Sequence, residues 1–91
     1  MRERGVDRGD PDLFDLLRTR RTELAAANHM PPYLIFSDNT LLEMSERKPM
    51  TREELLELSG VGEYKMKRYG QDFLDVIAEY IAESPGEEGL L

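Results

Sequence analysis

The chain has 91 residues, no cysteine and a formal net charge of −7, with 40% hydrophobic and 34% charged residues. This length fits one compact domain, and the composition is typical of a soluble globular protein rather than a disordered one. The lack of cysteine excludes disulfides and thiolate metal sites and favours a reducing cytosol. No apolar run reaches the roughly 20 residues that span a bilayer, and no signal-peptide core follows Met1.

The first helix is predicted from its start signal, the N-cap residue Asp10 followed by Pro11. It is predicted to close at Asn28, before the Pro31-Pro32 pair. We expect Arg18 and Arg21 on its polar side. The predicted apolar face consists of Leu13, Leu16, Leu17 and Leu24, with Phe14 at its edge.

The connector at residues 31–36, PPYLIF, is stiffened by its two prolines. Four consecutive large apolar side chains cannot all face one way, so at least one is expected to stay partly exposed. A second helix is predicted from Ser37 or Asp38 through about Arg47, where Pro49 ends it. Its predicted apolar positions are Leu41, Leu42 and Met44.

The second half of the chain predicts two further helical segments. Thr51 and Glu54 form a capping box for a short helix. The turn Gly60-Val61-Gly62 then leads into a last helical stretch, which Gly70 is expected to bend or split. The apolar residues of that stretch recur at helical spacing: Met66, Tyr69, Phe73, Ile77, Tyr80 and Ile81.

No strand alternation is present, so the predicted fold class is all-α, with one helical domain at residues 10–83. Residues 1–9 hold few apolar side chains and are predicted to be a linker or a remnant of cloning. Residues 84–91 are predicted to be an acidic, flexible tail.

The sequence lacks the residue patterns that enzyme catalysis needs. His29 is the only histidine, and without cysteine or a nearby carboxylate pair it does not make a zinc site. The serines lie in no nucleophile motif, and no Walker or Rossmann glycine loop is present. We therefore expect a non-catalytic domain without metal or cofactor.

A basic cluster follows the Gly60-Val61-Gly62 turn. Lys65, Lys67 and Arg68 give residues 60–70 a local positive charge, whereas residues 71–91 carry only acidic charges. A glycine turn that enters a helix can present backbone N–H groups to a phosphate, and basic side chains add to the attraction. The alternative is that the glycines only permit a tight turn and the basic residues only solvate the helix.

Tyr33 and Thr40 form a second candidate contact. A ring on a proline-set loop can stack on an unpaired base, although a tyrosine in the core or at its rim is the commoner outcome. The acidic residues Asp72, Asp75, Glu79 and Glu83 recur at helical spacing. They predict either a solvated outer face or a docking face for a basic protein surface.

Three blocks of sequence form a pattern known from one family. They are Leu13-Phe14 with Leu17-Arg18, the run PPYLIFSDNTL at residues 31–41, and Gly60-Val61-Gly62 with Lys65 and Tyr69-Gly70. Across about residues 12–83 the chain resembles the HRDC domain, and the Pro-Pro-Tyr block resembles the RecQ helicase branch more than the ribonuclease D branch.

The resemblance implies a compact bundle of about five short helices, with a one-turn helix at the Pro-Pro-Tyr connector. It implies an auxiliary role in a DNA helicase, through weak contact with single-stranded or branched DNA. The matching contact positions are Tyr33, Thr40, Arg18, Arg21, Lys65 and Arg68, with Gly60 and Gly62 at the turn. A monomeric state is expected, and the bacterial cytoplasm is favoured over the nucleus as the location.

The acidic charge departs from a basic DNA-binding pattern. Three alternatives to strong DNA binding therefore stay open. The acidic helix can dock on the helicase core of the same polypeptide, it can dock on another DNA-repair protein, or the module can assist a ribonuclease D-like exonuclease.

Overall fold

The computed structural model describes residues 9–83, and every regular element in this range is helical. The elements are α1 (Pro11–Ala27), a 3₁₀ turn (Pro32–Leu34), α2 (Asp38–Arg47), α3 (Arg52–Leu56), α4 (Glu63–Lys65), a π-helical turn (Met66–Gly70) and α5 (Gln71–Glu83). Since α4, the π turn and α5 are continuous, the described chain is a bundle of four helices and a 3₁₀ turn. The predicted all-α class is confirmed.

Two of the predicted segments, the linker and the acidic tail, fall largely outside the described range. Of the predicted linker at residues 1–9, only Gly9 lies within it. The whole of the predicted acidic tail at residues 84–91 lies beyond it.

The N-cap residues of the first two helices are those that the sequence predicts. A carboxylate oxygen of Asp10 accepts hydrogen bonds from the backbone N–H groups of Asp12 at 3.1 Å and Leu13 at 3.4 Å. The hydroxyl of Ser37 accepts the backbone N–H of Thr40 at 3.2 Å. Each bond satisfies a donor that has no partner inside its own helix, which fixes where the helix begins.

The capping box of α3 forms with one change. The Thr51 hydroxyl accepts the backbone N–H of Glu54 at 3.1 Å, as predicted. The returning bond differs, because the Glu54 carboxylate accepts the backbone N–H of Met50 at 2.7 Å instead of that of Thr51. The motif therefore also holds the residue that precedes the cap.

The core is centred on Phe36, which is fully buried. Its ring meets Phe73 edge-on at 5.0 Å and Tyr69 at 6.4 Å between centroids. Helix α1 packs against α2 and α5, and α3 packs against the π turn and α5. The connector after Pro31-Pro32 thus inserts its last residues between the first and last helices.

The predicted apolar face of α1 is wrong at two positions. Leu13, Leu17 and Ala25 are buried, whereas Leu16 is 46% exposed and the Arg21 side chain only 11% exposed. At about 100° per residue, Arg21 lies between Leu17 and Ala25 around the helix, and Leu16 lies about 60° beyond Leu13. The buried arc is therefore centred on the Arg21 side, which the leucine pattern alone did not show.

The last helical stretch widens at the predicted place. Residues Met66–Gly70 form the π turn, and Gly70 is buried. A Cβ atom at Gly70 would overlap the end of the Met66 side chain. The glycine thus leaves room for the end of the Met66 side chain beside the helix backbone.

Candidate nucleic-acid interface

Tyr33 lies at the surface on a rigid support. Pro31 and Pro32 set the direction of the 3₁₀ turn, and 66% of Tyr33 is exposed. The turn is closed by the backbone N–H of Ile35, which donates to the carbonyl of Pro32 at 2.9 Å. Ile35 and Phe36 are fully buried and anchor the connector in the core, so the ring of Tyr33 projects from a fixed segment.

An open depression of about 520 Å³ lies beside this ring. Its lining combines the connector, the start of α2 and one residue of α1: Arg21, Pro32, Tyr33, Ser37, Asp38 and Asn39. A flat ring beside polar side chains is an arrangement that can hold an unpaired base.

Arg21 braces the floor of this depression. One guanidinium nitrogen donates to the carbonyl oxygen of Phe36 at 2.9 Å, and the other pairs with Asp38 at 2.8 Å. The buried Nε has no hydrogen-bond partner among the described residues. Arg18, in contrast, is exposed, with its guanidinium 6.0 Å from the ring centroid of Phe14. The two arginines, which the sequence grouped together, differ in their freedom to meet a phosphate.

Thr40 lies in the interior and not on the contact surface that the sequence predicted. Its hydroxyl donates to the carbonyl oxygen of Ser59 at 2.9 Å and lies 3.1 Å from the hydroxyl of Ser37. As the third residue of α2, Thr40 faces the turn after α3. It ties α2 to that turn and is buried, so it offers no surface to a ligand.

The two glycines of the Gly60-Val61-Gly62 turn differ. Gly60 has φ +84°, and a Cβ atom there would overlap the Thr40 hydroxyl. Gly62 is the N-cap of α4 in an extended conformation, with φ −90° and ψ 174°, and a Cβ atom there would meet no atom within 4 Å beyond its chain neighbours. No side chain caps this helix start. Both glycines are exposed, but the positive φ and the nearby Thr40 hydroxyl restrict the residue type at Gly60, whereas no such contact restricts Gly62.

Two residues of the basic cluster after the turn lie against aromatic rings. The ammonium of Lys65 is 5.9 Å from the ring centroid of Phe36. The guanidinium carbon of Arg68 is 5.6 Å from the ring of Tyr64 and 5.7 Å from that of Tyr69. A hydrogen bond with Tyr69 first, and the electrostatic interaction with Tyr64 next, raise the pKa of Arg68, which is in any case cationic at neutral pH.

Tyr64 is a surface aromatic that the sequence reasoning did not select. It is 69% exposed, slightly more than Tyr33. The signal was present in the sequence, because Tyr64 and Arg68 are four residues apart, a spacing that brings side chains together on a helix.

The acidic residues of α5 have different surroundings. Asp72 pairs with Arg20 at 2.8 Å, and Arg20 also binds Glu23 at 2.8 Å. The hydrogen bonds to Asp72 first, and to Glu23 next, raise the pKa of Arg20. Asp75 accepts a bond from Gln71 at 2.9 Å.

Beyond that pair, the acidic face of α5 is solvent-facing. Glu79 and Glu83 are exposed, as is Asp75. This exposed face begins at Asp75, seven residues after Arg68, so charges of opposite sign occupy successive parts of the last helical stretch.

His29 lies just beyond the C-cap of α1. It has φ +56° and is exposed, and the backbone N–H of the next residue, Met30, donates to the carbonyl of Ala25 at 3.0 Å. This is the bond of a Schellman helix end. Within residues 9–83 there is no cluster of three side chains able to hold a metal ion.

A comparison with known families gives a match to the HRDC domain over residues 10–77. The chain belongs to the HRDC family. The match includes the connector, the glycine turn and most of α5, so each part of the candidate interface except the last acidic residues lies inside the family's boundaries.

The HRDC domain is similar to parts of several helicases. It is 42% identical to the ATP-dependent DNA helicase RecQ of Haemophilus influenzae, over 86% of this chain and 13% of that protein. It is 48% identical to the RecQ of Bacillus subtilis, over 76% of this chain and 12% of that protein. For the ATP-dependent DNA helicase UvrD2 of Mycobacterium tuberculosis, identity is 32% over 75% of this chain and 10% of the other.

The chain spans about an eighth of the length of these RecQ relatives, where HRDC is an auxiliary domain. None of the helices at residues 9–83 has the length and apolarity to cross a bilayer.

Proposed function

We propose that this HRDC domain is a non-catalytic auxiliary module of a RecQ-type DNA helicase, and that it binds single-stranded or branched DNA weakly. The observation that carries the proposal is the exposed ring of Tyr33 on a proline-set turn beside an open, polar depression. An unpaired base can stack on the Tyr33 ring, and polar groups at the start of α2 can then bind the edge of that base.

Positive charge near the glycine turn supports the same surface. Lys65 and Arg68 offer charge to the phosphates that follow the stacked base, and Gly62 leaves the helix start open. The affinity is weak because the chain carries a net charge of −7, which opposes the approach of a polyanion. Arg21 has a structural role at this surface, because its charge is already paired with Asp38.

The test is binding of a fluorescent oligothymidylate to the 91-residue chain at low salt, followed by fluorescence anisotropy. Replacing Tyr33 with alanine is expected to weaken binding by about 1–3 kcal/mol, the range for base stacking on an aromatic side chain. Met50→Ala is the matched control, because Met50 is also a large exposed side chain, at 51%, and lies outside the proposed surface. Equal affinity of Tyr33→Ala and wild type would refute the proposal.

A salt titration tests the phosphate contacts separately. Each phosphate contact on a single strand contributes about 0.7 to the slope of log affinity against log salt. Lys65→Ala is expected to reduce the slope by about that amount, whereas Tyr33→Ala leaves it unchanged.

The exposed acidic face of α5 supports a second candidate function, docking on a basic surface of the helicase core or of another DNA-repair protein. Asp75, Glu79 and Glu83 are exposed together on this face. Charge reversal of Asp75 and Glu79 in the parent helicase is expected to change its DNA binding or unwinding if docking occurs. Unchanged activity would refute docking.

The named relatives favour DNA over RNA as the nucleic acid, because each is described as a DNA helicase. The RecQ relatives are bacterial proteins, so we propose the bacterial cytoplasm as the location and a monomeric state for this domain.

A further inference from the structure

Tyr64 and Arg68 form a compact pair on the surface of the last helical stretch. Tyr64 follows the glycine turn in α4, and Arg68 lies one turn later with its guanidinium carbon 5.6 Å from the Tyr64 ring. Tyr64 remains 69% exposed, so its ring adds little to the core. An exposed aromatic ring partnered by a cation, on a continuous helix, is a surface feature that offers both a π-face and a positive charge to a ligand.

From this geometry we infer that Tyr64 and Arg68 form a second binding point for an unpaired base of single-stranded DNA, separate from Tyr33. The inference rests on the proposed DNA contact and extends it to Tyr64, an aromatic residue that the proposed function does not use. The ring offers a π-face to a base, and the guanidinium, which stays charged, can stack on the same base or bind its phosphate.

Charge favours a nucleic acid over a protein or apolar partner at this point. Three basic residues, Lys65, Lys67 and Arg68, follow Tyr64 within four positions of the sequence, against the single carboxylate of Glu63, and the Arg68 guanidinium lies against the Tyr64 ring. This is a local excess of positive charge in a chain whose net charge is −7. A phosphodiester backbone is complementary to such a patch, whereas the acidic face of α5 would repel it.

The chemistry also selects unpaired over paired bases. In a duplex both faces of each base are covered by its neighbours, so an aromatic side chain on a protein surface has no face to stack on. A single strand that contacts both Tyr33 and Tyr64 would be held at two points, which restrains its path across the domain.

The lack of tryptophan in the chain permits a direct experiment. Tyr64→Trp introduces a single indole, whose emission is expected to be quenched when an oligothymidylate of about 15 nucleotides binds at low salt. A duplex of the same length should quench it much less. Circular dichroism of each variant confirms that it is folded.

Affinity measurements on the same oligonucleotide complete the test. Tyr64→Ala is expected to weaken binding by at least about five-fold, the lower end of base stacking, and Tyr64→Phe by less than about two-fold because the ring remains. Met50→Ala again serves as the control for loss of an exposed apolar side chain.

The outcomes separate this inference from the proposed function. If wild type binds and Tyr33→Ala weakens binding, but Tyr64→Ala does not and the indole emission is unchanged, the second binding point is refuted while the proposed function stands. Equal quenching by duplex and single strand refutes the selection of unpaired bases. Absence of binding by wild type refutes both.

Discussion

Replacing Gly60 with alanine tests how the glycine turn is held against α2. Gly60 has φ +84°, where a residue with a side chain costs roughly 1–2 kcal/mol. The new Cβ would also overlap the Thr40 hydroxyl and displace it from Ser59, a bond of 2.9 Å. Loss of that partly buried bond costs a further ~0.5–1.5 kcal/mol. The expected total is a loss of about 1.5–3.5 kcal/mol in the free energy of unfolding.

A double-mutant cycle isolates the shared part of this effect. Thr40→Ala alone loses the bond to Ser59, and Gly60→Ala loses it as well, so the double variant loses it only once. The double variant should therefore be more stable than the sum of the single effects predicts, by about 1 kcal/mol. Urea denaturation followed by far-UV circular dichroism measures all four proteins.

The result that would refute this reasoning is a Gly60→Ala variant within about 0.5 kcal/mol of wild type. Strict additivity of the two substitutions would equally show that Gly60 and Thr40 are not packed as described. Loss of DNA affinity by Gly60→Ala at unchanged stability would instead support the direct role in DNA binding that the resemblance implies for Gly60.

Three further predictions concern charged side chains. Burial opposes ionisation of Asp10, but hydrogen bonds and a nearby lysine outweigh burial and lower the pKa of this carboxyl group. The ionised Asp10 therefore stabilises the folded state above the unfolded pKa of about 3.9, and this stabilisation is lost as pH falls through the lower folded pKa. The difference in unfolding free energy between wild type and Asp10→Asn should accordingly shrink between neutral and acid pH, and a pH-independent difference would contradict this. Arg20→Gln should cost less than about 1 kcal/mol, and its cost should fall with salt, because its pair with Asp72 is partly exposed; a larger cost in high salt would contradict a screened pair. Arg21→Lys should cost about 1–2 kcal/mol in urea denaturation because one ammonium cannot replace the guanidinium fork, and an equally small effect for Arg21→Lys and Arg18→Lys would contradict the bracing role.

The helix starts were predictable because they depend on local chemistry. Asp10, Ser37 and Thr51 each satisfy a nearby backbone N–H group within three residues, so the signal lies in a short stretch of sequence. The partial exposure of the connector was predictable for a similar reason. Four adjacent apolar residues cannot point one way, and Tyr33 is exposed while Phe36 is buried.

The residues that sequence reasoning placed wrongly depend on tertiary contacts. Thr40 faces inward because the turn after α3 packs on the start of α2, and Ser59 is far from Thr40 in sequence. Arg21 is held inside because Phe36 presents a carbonyl oxygen to it. Tyr64 was missed because its exposure follows from the way the last helix packs, although its spacing from Arg68 was visible.

The central claim is that the surface around Tyr33 and the glycine turn meets single-stranded DNA while the acidic face of α5 does not. The most direct measurement is an NMR titration of the ¹⁵N-labelled 91-residue chain with an oligothymidylate at low salt. We expect shift changes concentrated at residues 32–38 and 60–68, with little change at Asp75 and Glu79. Changes centred on α5, or spread evenly over the domain, would contradict the claim.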